Sequence, residues 1–417
     1  MLEPVSRREF IVRTGLVAGT LGLGLAVPET AKAQNIIRVG LVGCGKRGTG
    51  AAVNAIQADP SVRVTALADV FADQLASTLG HLTRNFGTQT LVTPATSYVG
   101  FDAVQKMLAG PVDLVILATP PHFRASHIDA AIRAGKHVFA EKPAAIDVPG
   151  VKKVLEATKL AKEKNLSFVA GLNYRYENAK RETIRQIHDG RIGRIRHLYC
   201  AYNKGTWDFT PAKTGWTDME THIRNYNHYR WLNGDIALDL LVHNLDKISW
   251  AMNGELPVKV WGMGGQEVTN LGAGFDHHAI VYEYKNGTRL TAYTRAIANA
   301  RFEVADMIYG DKGVASLMDN KITGDNPWMF NETVNDSYQT EFNEMIRAIK
   351  TGKAINDGEH FAMSAFMGIM GRWASYTGAV LTAEQVWKST QTLGPAQYQF
   401  GPAPQETRAI PGITKMS

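Results

Sequence analysis

The stretch that constrains this chain most is IIRVGLVGCGKRG, residues 36–48. Ile36, Ile37, Val39, Leu41 and Val42 form a short apolar, β-branched run of the kind that a parallel sheet buries on both faces. It passes without a polar linker into Gly43-Cys44-Gly45-Lys46-Arg47-Gly48, a Gly-x-Gly-x-x-Gly turn. The first glycine lets the backbone bend sharply, the second clears space for a pyrophosphate, and the third lets a helix pack on its strand. That helix runs through Ala51, Val53 and Ile56, so its unpaired N–H groups and dipole face an anion. The next strand, residues 62–69, ends in Asp69, 21 residues after Gly48, where a dinucleotide fold places the acid that accepts both adenosine ribose hydroxyls. Gly43, Gly45, Lys46, Arg47, Gly48 and Asp69 are the expected cofactor contacts. Val70 and Phe71 follow Asp69 where an NADP enzyme would more often offer Arg or Ser, so NAD is favoured over NADP.

Composition narrows the class. At 417 residues, 45% hydrophobic and 20% charged, the chain suits two globular domains. Its net charge of +6 comes without a basic run or an aromatic-basic stripe, which argues against a nucleic-acid footprint. Residues 1–33 read as an export address. Ser6-Arg7-Arg8-Glu9-Phe10-Ile11 precedes a Gly- and Ala-rich apolar stretch, 14–27, and then the small-x-small site Ala31-Lys32-Ala33. This resembles a twin-arginine signal and implies a periplasmic protein; the apolar run is too short for the ~20 residues of a membrane span. Of the two cysteines, Cys44 lies inside the glycine turn, so a disulfide with Cys200 is not expected.

The α/β pattern continues, with helical periodicity over 72–82, a short strand at 88–92, a helix at 104–108 and a core strand at 112–118. That strand ends in Thr119-Pro120-Pro121-His122, either a rigid turn or a contact to the nicotinamide half of the cofactor; Thr119, Pro120 and His122 are the candidates. A helix at 127–134 leads to a fifth strand, 137–140, and to Glu141-Lys142-Pro143. Pro143 fixes the backbone after Lys142 and can support a cis bond, and Lys142 would aim an ammonium at the crevice beside Glu141. A helix over 148–164 and a strand over 166–170 end the nucleotide domain, 34–173, at Gly171-Leu-Asn-Tyr-Arg175.

The second domain, 174–392, opens with a helix, 179–188, and a strand, 195–202. An irregular segment, 203–233, carries Trp207, Phe209, Trp216, Tyr226, His228, Tyr229 and Trp231. Rings beside Asn225, His228 and Arg230 suit a sugar, although any one ring can equally be core. Asp239, His243, Asp246 and Trp250 recur at helical spacing, which predicts one face holding a histidine between two carboxylates. Strands at 258–262, 279–284, 289–293 and 301–308, with turns at 285–287 and 310–313, predict a mixed sheet with one face free for a homo-oligomer contact. Asp276-His277-His278 has no further ligand at spacing, so no metal is assigned. Helices at 339–350 and 361–377 follow, and the tail from Leu393 should wrap the surface or a neighbouring subunit.

GLVGCGKRG, Asp69, ATPP, EKP at 141–143, GLNYRY at 171–176 and Asp239-x-x-x-His243 succeed one another as in the glucose-fructose oxidoreductase, inositol dehydrogenase and rhizopine catabolism (Gfo/Idh/MocA) family, which this chain resembles over residues 36 to about 385. The resemblance implies a doubly wound Rossmann domain followed by an α/β domain with a large open sheet. It implies hydride transfer between NAD and a sugar or polyol carbinol, with Lys142, Asp239 and His243 catalytic. Asn173, Arg175, His228, Arg230 and Asp239 are the expected substrate contacts. Where the family more often has two or three glycines before the histidine helix, this chain has Asn233-Gly234-Asp235. The alternatives are a redox glycosidase like those of glycoside hydrolase family 109 and a non-catalytic sugar and nucleotide sensor. Twin-arginine export carries folded proteins and the periplasm supplies no free NAD, so the nucleotide should be held tightly. Mass spectrometry of the purified protein is expected to find it bound; protein purified free of nucleotide would overturn this.

Overall fold

The apolar runs after residue 36 assemble into a parallel sheet in the computed structural model, which describes residues 36–269 and 271–416. Strands β1 (Ile37–Val42), β2 (Val62–Asp69), β3 (Ser97–Val99), β4 (Leu114–Leu117), β5 (His137–Ala140) and β6 (Phe168–Ala170) lie in the order β3-β2-β1-β4-β5-β6. All five pairings are parallel. The order reverses between β1 and β4, which opens a ligand crevice at the carboxyl ends of the strands. Helices α1 (Lys46–Ala58), α2 (Ala72–Phe86), α3 (Ala103–Leu108), α4 (Pro121–Arg133) and α5 (Val148–Glu163) cover both faces. Val39, Leu41 and Leu114 to Leu117 are therefore closed to solvent, and their runs are continuous instead of alternating. The strand expected at 88–92 is not formed. Short 3₁₀ turns at Gly87–Gln89 and Pro94–Thr96 replace it, with one isolated bridge from Thr90 to Val64, and the edge strand follows at β3. Gly87 and Pro94 break the extended run before it can pair.

The second sheet has nine strands: β7 (Ile195–Lys204), β8 (Lys259–Gly265), β9 (His277–Glu283), β10 (Arg289–Ala296), β11 (Glu303–Gly310), β12 (Gly313–Ser316), β13 (Lys321–Gly324), β14 (Trp328–Met329) and β15 (Leu381–Thr382). Their order is β14-β13-β12-β11-β7-β10-β9-β8-β15, with β7 and β10 parallel and the other pairs antiparallel. One face buries Leu198, Cys200, Ile280, Tyr282, Leu290 and Ile308; the other leaves Met263, Tyr293 and Tyr309 exposed.

The buried face is covered by helices. α6 (Asn178–His188) enters the domain; α7 (Asp218–Arg224), α8 (Arg230–Asn233), α9 (Ile236–Asp239) and α10 (Val242–Ala251) follow β7. The segment expected to be irregular, 203–233, thus holds two short helices. The single helix expected through Asp239 and His243 is broken at Leu240 and Leu241, where the Leu241 N–H turns back to the Ile236 carbonyl and both leucines are buried. α11 (Ser337–Thr351) and α12 (Gly358–Thr377) return to the first sheet. Phe342 of α11 packs its ring 4.4 Å from that of Phe139 on β5. From Ile36 onward the chain is one compact unit holding both sheets, closed by α13 (Ala383–Trp387) and an extended tail.

The glycine turn behaves as its three positions require. Gly43 has φ +89°, and a Cβ there would lie 2.7 Å from the Ala118 carbonyl carbon. A Cβ on Gly48 would lie 1.9 Å from the Gly43 oxygen, whereas one on Gly45 would meet nothing within 4 Å. The middle glycine thus clears open space, and the outer two permit backbone contact. Gly48→Ala must push α1 off β1, and overpacking of this kind costs roughly 1–3 kcal/mol. A lower thermal midpoint and weaker nucleotide binding are expected; an unchanged midpoint would contradict the close approach.

Candidate active site

A cavity of about 420 Å³ opens at the carboxyl ends of the parallel strands, lined by Gly43, Gly45, Asp69, Thr119 and Pro120. Asp69 faces it, with one carboxylate oxygen accepting the Cys44 N–H at 2.6 Å and the other the Phe71 N–H at 2.8 Å. Burial pushes its carboxyl above the ordinary range, against the pull of those two N–H groups. The amino end of α1 has no side-chain cap, so its N–H groups remain available to an anion. Lys46 is exposed at this end. Arg47 is turned away from the turn. It donates to the Glu141 carboxylate and to Glu341 of α11 at 3.2 Å, and its guanidinium lies 4.6 Å from the Tyr338 ring centre. Arg47 and Glu141, both expected to contact the cofactor, are thus committed to one another. The α11 carboxylate that attracts Arg47 lies nearly 300 residues away in sequence.

The far wall of the cavity comes from the 203–233 segment. Thr210, Lys213, Trp216, Arg224 and Tyr226 line it. Arg224 lies 3.8 Å from the Phe71 ring centre and 4.7 Å from that of Trp216, and pairs with Asp73 and Glu220 at 2.9 Å. The rings expected to stack on a sugar therefore divide. Trp216 and Tyr226 face the nucleotide cavity, Trp207 lines a small separate pocket with His228 and Arg230, and Tyr229 and Trp231 are core.

The tail closes the rim. Tyr398 hydrogen-bonds His122 at 2.7 Å, and Phe400 packs against Phe71 and Phe101 at 6.1 and 5.3 Å between ring centres. Glu406 accepts the Trp231 N–H at 2.9 Å. The tail thus packs on its own chain beside the cleft, and His122, expected at the cofactor, is instead half-buried against Tyr398; desolvation pushes the imidazole down to about 4.

Arg124 ties the cavity to Lys142. Buried in α4, it donates to the carbonyls of Thr119, Glu141 and Lys142, the last at 2.7 Å, and so holds the two strand-end loops in one register. The Lys142–Pro143 peptide is cis. Lys142 Nζ donates to the Asp239 backbone oxygen at 2.6 Å and to Asp239 Oδ1 at 3.1 Å. His243 lies one break further along, its ring 5.7 Å from and edge-on to that of Tyr174. Its Nδ1 is buried without a partner, although the residue keeps part of its surface accessible. Burial, then the positive charges of Lys142 and Lys247, hold this imidazole well below its usual range. Lys142 and Asp239 therefore meet, and the charge of Lys142 is felt by His243.

The carboxylate expected to orient His243 is absent. Asp239 is taken by Lys142. Asp246 accepts from Arg175 at 2.8–3.1 Å and from Ser364 at 2.9 Å. The helical spacing suggested a shared face; the break before Val242 and the long reach of Arg175 decide otherwise. Arg175 is thereby paired with Asp246. Asn173 is buried and donates to Ser337 at 2.9 Å, with its own oxygen unpartnered. Arg230 pairs with Glu406 at 3.4 Å, and His228 hydrogen-bonds the Asp208 carbonyl at 3.2 Å, both beside the smaller pocket. Asp276 accepts three backbone N–H groups while His277 and His278 each hold an aspartate, and no cluster of metal ligands is formed among the described residues.

Sequence reasoning missed Arg124, Arg224 and Lys247. The buried Lys247–Asp306 pair, joined by Asn244, sits directly behind His243 and Tyr174, with Lys247 4.2 Å from the Tyr174 ring centre. Lys247 follows His243 by one helical turn and could have been noticed as a charge among apolar residues; Arg124 and Arg224 carry no such signal.

Comparison with known proteins agrees with this architecture. The family model described as "Oxidoreductase family, NAD-binding Rossmann fold" matches residues 37–171, and the "GFO/IDH/MocA C-terminal domain" model matches 181–316. An inositol 2-dehydrogenase of Rhizobium meliloti is 23% identical over 77% of this chain and 92% of its own length. A glycosyl hydrolase family 109 protein of Shewanella pealeana is 25% identical over 76% and 70%. A dTDP-3,4-didehydro-2,6-dideoxy-alpha-D-glucose 3-reductase of Actinomadura kijaniata is 30% identical, but the match spans 42% of this chain and 48% of that protein. Among solved structures, scyllo-inositol dehydrogenase from Lactobacillus casei with bound NAD(H) and scyllo-inositol superposes with a TM-score of 0.63 at 18% identity, over 84% of this chain and 99% of that one.

Breaking the Arg47 contacts leaves two carboxylates, one wholly buried, facing each other. Arg47→Met is expected to lower stability by roughly 1–3 kcal/mol in chemical denaturation. An unchanged midpoint would show that Arg47 is free to serve the phosphates instead.

Proposed function

The chain belongs to the Gfo/Idh/MocA oxidoreductase family, with an NAD-binding Rossmann domain, and from that premise we propose that it oxidises or reduces a carbinol of a sugar or polyol with NAD held in the cavity beneath Asp69. The observation that carries the reading is the Lys142–Asp239 contact, formed at a strand end that Arg124 ties to the cavity loop, beside a neutral, partly accessible His243. Gly45, with open space where its Cβ would be, and the uncapped amino end of α1 fit a pyrophosphate. The carboxylate of Asp69 suits ribose hydroxyls and repels a 2′-phosphate, and Arg224 is already engaged by Asp73 and Glu220, which favours NAD over NADP.

When bound, the nicotinamide supplies the hydride acceptor or donor. The residues handle the proton. In the oxidising direction His243 takes the hydroxyl proton, Lys142 donates a hydrogen bond to the oxygen on which negative charge develops, and Asp239 holds the ammonium in place. Residues 1–33 act as a twin-arginine leader to the periplasm and fall outside the described residues; the exposed sheet face with Met263, Tyr293 and Tyr309 supports a homo-oligomer.

The likeness to a glycosyl hydrolase family 109 protein favours a second reading, transient oxidation of a glycoside followed by elimination and return of the hydride. NADH accumulating with a free sugar or polyol supports the dehydrogenase; nitrophenol released from a nitrophenyl glycoside without net NADH supports the glycosidase. In either case His243→Ala should lose about 10²- to 10⁴-fold in turnover. The His243 imidazole loses its proton more easily than a free one, so the neutral, proton-accepting form persists below pH 6.5. The acid limb of kcat/KM should therefore lie below pH 6.5, and a limb at or above that value, or near-normal turnover in His243→Ala, would retire the assignment.

A further inference from the structure

Among the described residues five non-glycine positions have positive φ. Four are asparagines between +50° and +59°; the fifth is Asp235, at φ +91° and ψ 160°. That region is essentially reserved for glycine, and a side chain there costs about 1–3 kcal/mol unless its surroundings compensate. The compensation is visible. The Asp235 carboxylate is wholly buried and accepts four hydrogen bonds: from His278 Nε2 at 2.7 Å, the Ala237 N–H at 3.1 Å, the Phe275 N–H at 2.9 Å and the Tyr376 hydroxyl. Burial opposes its charge, but His278 and Tyr376 hold it down to about 2. Arg372 of α12 donates to the preceding carbonyl, that of Gly234, at 2.8 Å.

The anchor leads directly to the active site. Asp235 caps α9 and its own carbonyl accepts the Asp239 N–H at 2.9 Å. The Asp239 backbone oxygen is in turn the closer acceptor of Lys142 Nζ. β9 and α12 therefore fix Asp235, Asp235 fixes the single turn of α9, and that turn presents two oxygens to the ammonium. A glycine would accept the same φ without strain, yet it would remove the side-chain hydrogen bonds that join the start of α9 to β9 and α12.

We propose that Asp235 is a positioning residue, whose bonds to His278 and Tyr376 set the place of Asp239 against Lys142. The inference rests on the oxidoreductase reading only where turnover is measured. In the full-length, nucleotide-loaded protein, Asp235→Asn and Tyr376→Phe are compared with the parent, using NAD and whichever of myo-inositol, levoglucosan and D-glucose the parent oxidises fastest. A displacement near 1 Å at a reacting group can cost about 10²-fold. The expectation is a kcat lowered about 10- to 100-fold in Asp235→Asn and less in Tyr376→Phe, with the KM for NAD unchanged. The ¹³C resonance of reductively methylated Lys142, assigned by its loss in Lys142→Met, should move in both variants. Parental kcat with an unmoved resonance overturns the proposal, as does a kcat that falls only in step with the folded fraction. If Asp235→Asn does not fold, Tyr376→Phe, which deletes one donor, decides alone. Asp239→Asn separates the two claims: parental turnover there defeats the oxidoreductase site, while the Lys142 resonance still reports on Asp235.

Discussion

The contact between Lys142 and Asp239 joins the two halves of the chain's chemistry. One partner ends a strand of the parallel sheet, the other ends a one-turn helix lying against the mixed sheet, and 97 residues separate them. An ammonium at this depth needs oxygen acceptors, and α9 supplies both a carboxylate and a carbonyl for it. Other arrangements serve this meeting. Arg124 fixes the strand-end loops, Asp235 fixes α9, and α12 packs against α5 on one side and β8 and β9 on the other.

Charge placement around His243 follows from the same geometry. The positive charges of Lys142 and Lys247 both act on the ring, and Lys247 pairs with Asp306 in the interior. Burial first, and then two cations without a carboxylate in contact, favour the neutral imidazole. A flanking carboxylate would have done the opposite, stabilising the imidazolium and raising the proton affinity of the ring. The commitment of Asp246 to Arg175 is thus part of how the ring keeps its character, although neither residue touches it.

Much of this was legible in the sequence, and unevenly so. The parallel sheet, its glycine turn and Asp69 follow from local patterns, because strand burial, turn geometry and helix dipole act over a few residues. Lys142, Asp239 and His243 were legible through the family resemblance. The partners of charged side chains were not: Arg47 with Glu341, Arg175 with Asp246 and Arg230 with Glu406 are pairings across 294, 71 and 176 residues, which no periodicity encodes. The break at Leu240 and Leu241 was hidden for a related reason. Helical spacing shows which residues could share a face, while the shifted bond from the Leu241 N–H to the Ile236 carbonyl carries no mark in the local pattern.

The tail over the second half of the chain also reaches back to the first. Tyr398, Phe400 and Glu406 contact His122, Phe101 and Trp231. Phe101 and Phe71 themselves line the cavity, and Phe400 packs on both rings. A displacement of the last described segment would therefore be felt by the wall that faces Asp69, which makes residues 393–406 part of the cavity's support and not a loose appendage.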